Sequence, residues 1–379
     1  MSSRGRILIL NERDPEHPRS GGVESHVAEV SRRMAEMGYE ITLLASGFPG
    51  ASPRARIAGM DVHRLGPLAS YYPRVVWACR RETRERHFDL VVEHLCKVPF
   101  CSALYSAVPV LAVNHHLFGA SAFLQVAWPI AAGVVAIESL IPRVYRDVPF
   151  LAVSPSSRDD LVARGIPAER IGLIYNGVDI AERELRSAAE RPCRAAYFGR
   201  LEAYKRVDLF LRAMASLVPQ FGELEVVVIG RGQAQQGLER LARELGIAGR
   251  TRFTGFASDA ERDELLSGSR VCVCPSVKEG WGITVVEANA LGTPAVVTEA
   301  PGLVDAVLDG ETGLLVPEAP ADEFVRGIAR AAARVLSDDE LADRLSQGAR
   351  RWARRFTWDE AAERMAKAVD ARLSPGGAA

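Results

Sequence analysis

Short apolar runs alternate with amphipathic stretches along almost the whole chain, and that rhythm restricts the fold more than any other feature. RILIL (6–10), ITLLA (41–45), DVHRL (61–65), DLVV (89–92), PVLAV (109–113) and FLAVS (150–154) occupy the first half. RAAYF (194–198), EVVVI (225–229), TRFTG (251–255), RVCVC (270–274) and AVVT (295–298) occupy the second. Helical patterns lie between them at 24–37, 207–218, 236–245 and 259–266. Strands alternating with helices of this length predict parallel sheets built from βαβ units.

The rhythm breaks at 181–193, AERELRSAAERPC, a charged stretch with a proline near its end. A chain of 379 residues is long for one compact core. The break therefore reads as a linker between a domain over 1–185 and a second over 193–356. The expected fold class is α/β, with two doubly wound domains whose ligands sit beyond the carboxyl ends of the strands.

A formal net charge of −1 provides no global field for nucleic acid, so any anion recognition must be local. None of the six cysteines forms a CxxC pair, which argues against a structural zinc. Cys272 and Cys274 share one face of a predicted strand and read as small core residues. A reduced, cytoplasmic setting is expected, with no signal peptide ahead of the first strand. The stretch 117–137 is uncharged and long enough to cross a bilayer, yet its Gly, Pro, Ser and Gln content favours a buried or membrane-facing element. The stretch 74–87 mixes Trp77 with five arginines and fits either a solvated helix face or a surface lying on anionic lipid.

The strongest chemical signal is KEGWGITVVEANALGTPAVVT (278–298). A strand feeds the loop Glu279-Gly280-Trp281-Gly282, and a helix starts near Ile283 and Thr284. The flanking glycines allow close backbone approach, and the free N–H groups of a first helical turn favour phosphate. Glu287 lies about one turn into that helix, where its two oxygens suit neighbouring hydroxyls of a ribose. Glu279 is placed to accept from sugar hydroxyls.

A second signal, Gly199-Arg200-Leu201-Glu202-Ala203-Tyr204-Lys205-Arg206, follows the first strand of the second half. Arg200 and Lys205 sit where a βα loop aims cations at a departing diphosphate, with Arg206 the bystander. Gly21 and Gly22 stand before the first predicted helix, again an anion geometry, within a motif that ends at His26. Gly230 opens a loop on the nucleoside side, its glycines explained by close backbone approach. His115, at a strand end, is a candidate to hydrogen-bond a sugar hydroxyl or phosphate oxygen. Glu93, His94, Lys97 and His116 are candidates to line an acceptor pocket. The turns at 154–157 and 175–179 are read as turns and caps.

Together these motifs resemble glycosyltransferase family 4, retaining enzymes of the GT-B fold, over almost the whole chain. NERDPEHPRSGGVESH, YNGVD, FGRLEAYKRVD, EGWGITVVEANALGTPAVV and DGETGLLVP carry the likeness in family order, and His115 matches a histidine of one subgroup. The resemblance implies two Rossmann-like domains facing each other across a cleft, with a last helix over 357–375 packing back on the first. It implies that Glu279 holds the donor sugar, Glu287 the ribose, and Arg200 and Lys205 the diphosphate, assisted by Gly22. It also implies a UDP- or GDP-sugar donor and no divalent metal or other cofactor. Many family members have proline where this chain has Gln233, which leaves the base open.

The expected activity is transfer of a hexosyl unit to an acceptor hydroxyl of a glycan, a lipid-linked precursor or a small molecule. Contact with the inner face of a membrane through 74–87 or 117–137 accompanies that reading. Two others stand beside it: a nicotinamide-dependent oxidoreductase, which the incomplete glycine fingerprint disfavours, and a non-catalytic partner in glycan assembly.

Overall fold

The computed structural model describes residues 4–374 except 86, 97, 125, 126 and 181–183. Lys97 of the expected acceptor wall and the first three residues of the expected linker lie outside the described residues. The chain divides into two compact units, Met1–Gly177 with Thr357–Ala379, and Val178–Phe356.

The first unit contains β1 (Gly5–Leu10), α1 (Gly22–Glu36), β2 (Tyr39–Gly47), β3 (Arg54–Ile57), β4 (Met60–Pro67), α2 (Leu68–Arg84) and β5 (Leu90–Leu95). It continues with β6 (Val110–Asn114), α3 (Trp128–Glu138), α4 (Ile141–Val144), β7 (Phe150–Ala152), α5 (Pro155–Ala163) and β8 (Ile171–Leu173). The sheet order is β3-β4-β2-β1-β5-β6-β7-β8, and only β3 runs antiparallel to its neighbour. β5 and β6 are buried at every position, as strands covered on both faces must be. On one face Val27, Val30 and Met34 of α1 are buried, beside a small cavity they share with Ile7, Ile9 and Ile41. On the other, Tyr71, Val75 and Cys79 of α2 pack into a core with Leu8, Leu10 and Val91. The Tyr71 hydroxyl donates to the carbonyls of Asn11 and Leu44, so its burial leaves no orphaned oxygen.

The second unit contains β9 (Arg194–Phe198), α6 (Val207–Leu217), β10 (Glu225–Ile229), α7 (Gln235–Glu244), β11 (Thr251–Gly255), α8 (Asp259–Ser267) and β12 (Val271–Cys274). After these come α9 (Ile283–Ala290), β13 (Ala295–Thr298), α10 (Leu303–Ala306), β14 (Gly313–Val316), α11 (Ala321–Ser337) and α12 (Asp339–Ala353). Its six strands, ordered β11-β10-β9-β12-β13-β14, are all parallel. The apolar face of α6 buries Phe210, Leu211, Met214 and Leu217, side chains worth roughly 1.5–3 kcal/mol each when fully buried. Cys272 and Cys274 are buried on β12.

The last helix, α13 (Trp358–Leu373), belongs to the first unit. Thr357 caps it by accepting from the Glu360 N–H. Asp359 and Asp370 then pair with Arg33 and Arg4, and Ala361, Ala362, Met365 and Val369 are buried. Gly177 is required here, because a Cβ would stand 2.2 Å from the Trp358 nitrogen.

Three short strands escape the apolar pattern: β3, β8 and β14. The uncharged 117–137 stretch forms a 3-10 helix over Gly119–Leu124 and then the eleven-residue α3. Among the described residues, no helix is long and apolar enough to cross a membrane. Yet α3 is not a core element either. Only Ala131 and Glu138 are buried on it, while Trp128 and Ile130 are 73% and 60% exposed.

Candidate functional site

In the second unit the strand order reverses between β9 and β12: β10 and β11 lie to one side, β13 and β14 to the other. Such a switch point opens a crevice at the strands' carboxyl ends. The loops leaving β9 and β12 both start there. They are tied together by the Val277 N–H donating to the Tyr204 carbonyl at 3.0 Å. Lys205 lies at the end of a 3-10 turn, and its Nζ donates to Glu279 Oε1 at 2.5 Å. The two side chains are only 9% and 14% exposed, so the pair is poorly screened. Burial lowers the Lys205 pKa, but the Glu279 carboxylate outweighs it and holds the ammonium charged above its ordinary range.

Arg200 is exposed, one Nη donating to the Tyr204 hydroxyl at 3.4 Å. Arg206 has a structural task. It takes a left-handed backbone (φ 51°) at the start of α6, donates to the Pro275 carbonyl at 2.7 Å and pairs with Glu318.

Gly282 starts α9 at φ 74°, a conformation that strains any residue with a Cβ, and it carries no side chain to cap the first-turn N–H groups. Ile283 and Thr284 open that turn, half-buried. Glu279 is held by its N–H donating to the Pro301 carbonyl at 3.0 Å. Glu287 lies half-buried further along α9. Burial pushes its carboxyl up to about 7; Arg262 pulls it down, while Asp179, Asp263 and Asp259 push it up. A carboxylate can accept from hydroxyls, while the N–H groups of a helix start without a side-chain cap suit a phosphate.

Several expectations need correction. Trp281 is 2% exposed with its ring edge-on to Phe356 at 4.8 Å, so its side chain is core and not ligand wall. Gly230 and Gly232 are fixed by protein backbone: a Cβ would stand 2.0 Å from the Gly199 oxygen or 2.2 Å from the Leu201 oxygen. Gly199 itself sits at φ 148°.

In the first unit Gly21 is extended, and its N–H donates at 2.7 Å to Glu24, a buried carboxylate. Glu24 thus occupies the Gly21 N–H at the start of α1. Glu93 does not line an acceptor pocket. It is fully buried and accepts from the N–H groups of Phe100 (2.7 Å) and Ser102 (3.0 Å) and from the hydroxyls of Ser102 and Tyr145. Burial raises its pKa against those four donors.

His94 and His115 are buried as well, joined through His94 Nδ1 and His115 Nε2 at 2.8 Å. This places His115 among histidines and not on a ligand surface. His116 is half-buried, its ring edge-on to Phe118. His26, on α1, completes the group, with Nδ1 2.8 Å from Asn176 Oδ1. A buried nitrogen without a partner costs on the order of 1–3 kcal/mol, and among the described residues His26 Nε2 and His115 Nδ1 are both in that state. His26 and Asn176 were missed because they lie 150 residues apart in sequence; the glycines beside His26 drew the reading to an anion site, and Asn176 sits in a segment that reads as an ordinary turn.

Two α/β units, one with a cation–carboxylate pair at its switch point, form an arrangement suited to an anionic ligand. Sequence comparison makes this specific. Residues 20–182 match the model for Glycosyltransferase Family 4, and residues 181–352 match that for Glycosyl transferases group 1. D-inositol 3-phosphate glycosyltransferase of Streptomyces bingchenggensis is 27% identical over 387 residues, 90% of this chain and 83% of the relative. Glycogen synthase of Mycobacterium tuberculosis (strain ATCC 25618 / H37Rv) is 30% identical over 309 residues, 80% of this chain and 70% of the relative.

Among solved structures, sucrose-phosphate synthase (tll1590) from Thermosynechococcus elongatus superposes with a TM-score of 0.81 at 22% identity, covering 97% of this chain and 98% of that one. Anabaena Alr3699/HepE in complex with UDP-glucose superposes with a TM-score of 0.74 at 18% identity, covering 97% and 100%. The chain belongs to glycosyltransferase family 4, and its fold is of the GT-B type. That membership displaces the oxidoreductase reading.

Proposed function

We propose that the protein is a retaining hexosyltransferase that uses a UDP- or GDP-sugar and transfers the sugar to an acceptor hydroxyl without a divalent metal. The observation that carries this reading is the Lys205–Glu279 pair at the β9/β12 switch point, beside the glycine start of α9. The UDP-glucose complex of the structural neighbour is consistent with such a donor. Lys205 and Arg200 neutralise the diphosphate as it leaves, the Ile283–Thr284 turn contributes N–H groups, and Glu287 receives the ribose hydroxyls. Glu279 orients the sugar while holding Lys205.

In the proposed step the bond from the anomeric carbon to the phosphate oxygen breaks as the bond to the acceptor oxygen forms on the same face. The acceptor proton passes to the departing phosphate, so no protein nucleophile is required. His115 and Glu93 take no part.

The acceptor is proposed to be lipid-linked and met at the cytoplasmic side of a membrane. Exposed Trp128 and Ile130 on the uncharged α3 support this, as does exposed Trp77 on α2 with the Arg81 guanidinium 4.7 Å from its ring centre. Proton NMR of the first-formed product tests the reaction: the account expects the donor's anomeric configuration, and an inverted product would sink it.

A further inference from the structure

We propose that His26, His94 and His115 form a binding site for one divalent transition-metal ion of the zinc type. Each ring offers a nitrogen, and the three nitrogens lie within 4.8 Å of one another. The proposal does not rest on the glycosyl-transfer reading.

The cluster stands where the first unit's sheet reverses order, between β1 and β5. His94 lies near the carboxyl end of β5, His115 directly follows β6, and His26 is on the helix that follows β1. All three are buried, and among the described residues neither His26 Nε2 nor His115 Nδ1 has a hydrogen-bond partner. Asn176 defines the state of His26. Its amide oxygen only accepts, so Nδ1 carries the proton and Nε2 presents a bare lone pair. A ligating imidazole commonly uses its second nitrogen in this way, with a carbonyl fixing the tautomer.

The neutral imidazole is the ligating form. Three neutral nitrogens select a borderline-soft ion such as Zn²⁺ or Co²⁺ over Mg²⁺ or Ca²⁺, which prefer oxygen.

Zinc–nitrogen bonds of about 2.0–2.1 Å at a tetrahedral angle separate two ligand nitrogens by about 3.3 Å. The His94–His115 pair, at 2.8 Å, has only to open slightly. Its shared proton moves to the far nitrogen of the same ring, so coordination needs no net proton release. A cavity of about 10 Å³ bordered by His26, His94, Val30, Met34 and Met365 gives the rings room to adjust. Having nitrogen ligands and no phosphate partner, the ion would clamp α1 to β5 and β6 and would not act on the diphosphate.

The test uses the full chain, stripped with chelator and titrated with Co²⁺ while visible ligand-field absorption is followed, then with Zn²⁺. The expected result is one equivalent bound with tetrahedral-type absorption that Zn²⁺ displaces. Affinity should fall at least a hundredfold in His26→Ala and about 10–100-fold in Asn176→Ala. His87→Ala should leave it unchanged, since the surface group Glu82, Glu85 and His87 is the alternative place for an ion. Absence of saturable binding, or binding lost in His87→Ala and kept in His26→Ala, overturns the proposal. Should His26→Ala fail to fold, nitrogen-15 NMR of the wild-type imidazoles decides. Three buried histidines shifting together with Zn²⁺ support the site, and shifts confined to His87 overturn it.

Discussion

Glu287 is the residue whose environment makes the sharpest demand. Its carboxyl titrates near 7 in the folded chain and near 4.5 without the fold. Between those values the native state keeps a proton that the unfolded chain has lost. Stability therefore falls as pH rises through that window, and the penalty is complete above it. Glu287→Gln should raise the melting temperature at pH 8, with the gain shrinking steadily as pH is lowered toward 4.5. A melting temperature that fails to rise at pH 8 would show that burial does not govern this carboxyl.

Arg200, Lys205 and Glu279 stood out in the sequence because each sits in a loop that follows a strand, where charges beside glycines have few other uses. Glu93, His94, His115 and Trp281 were not legible as buried groups. Their burial depends on Ser102, Tyr145, His26 and Phe356, and no spacing rule connects those positions.

At the scale of elements, the loops after β9 and β10 touch backbone to backbone. Leu201 N donates to the Arg231 carbonyl at 3.1 Å and Ala234 N to the Leu201 carbonyl at 3.0 Å. Gly230→Ala adds a Cβ 2.0 Å from the Gly199 oxygen at φ 135°. It should cost about 1–3 kcal/mol in denaturant unfolding, whereas an unchanged midpoint would mean that the loops separate freely. The sequence marked these glycines correctly but could not say whether a ligand or a neighbouring loop makes the close approach.

Helix α3 poses the opposite problem. Its uncharged run reads as core or membrane, and only the fold reveals that Trp128 and Ile130 face outward. Replacing both by Ser should change stability by no more than about 0.5 kcal/mol, as exposed sites do. The same change should reduce co-sedimentation with anionic vesicles. Equal sedimentation of both proteins would remove α3 from membrane contact.

For the whole molecule, alternating strand and helix patterns were enough to anticipate parallel α/β sheets, since few other architectures satisfy that rhythm. The short strands β3, β8 and β14 were hidden because three or four residues carry too little periodicity to register. Pairing with β4, β7 and β13 makes them strands.

The central claim is that the second unit's switch point binds a nucleoside diphosphate through Lys205 and its neighbours. Isothermal titration of the full chain with UDP, GDP and NADH tests this most directly. The account predicts saturable one-to-one binding of UDP or GDP, markedly weaker in Lys205→Ala, and no heat from NADH. Saturable NADH binding without either nucleoside diphosphate, or affinity untouched in Lys205→Ala, would contradict it.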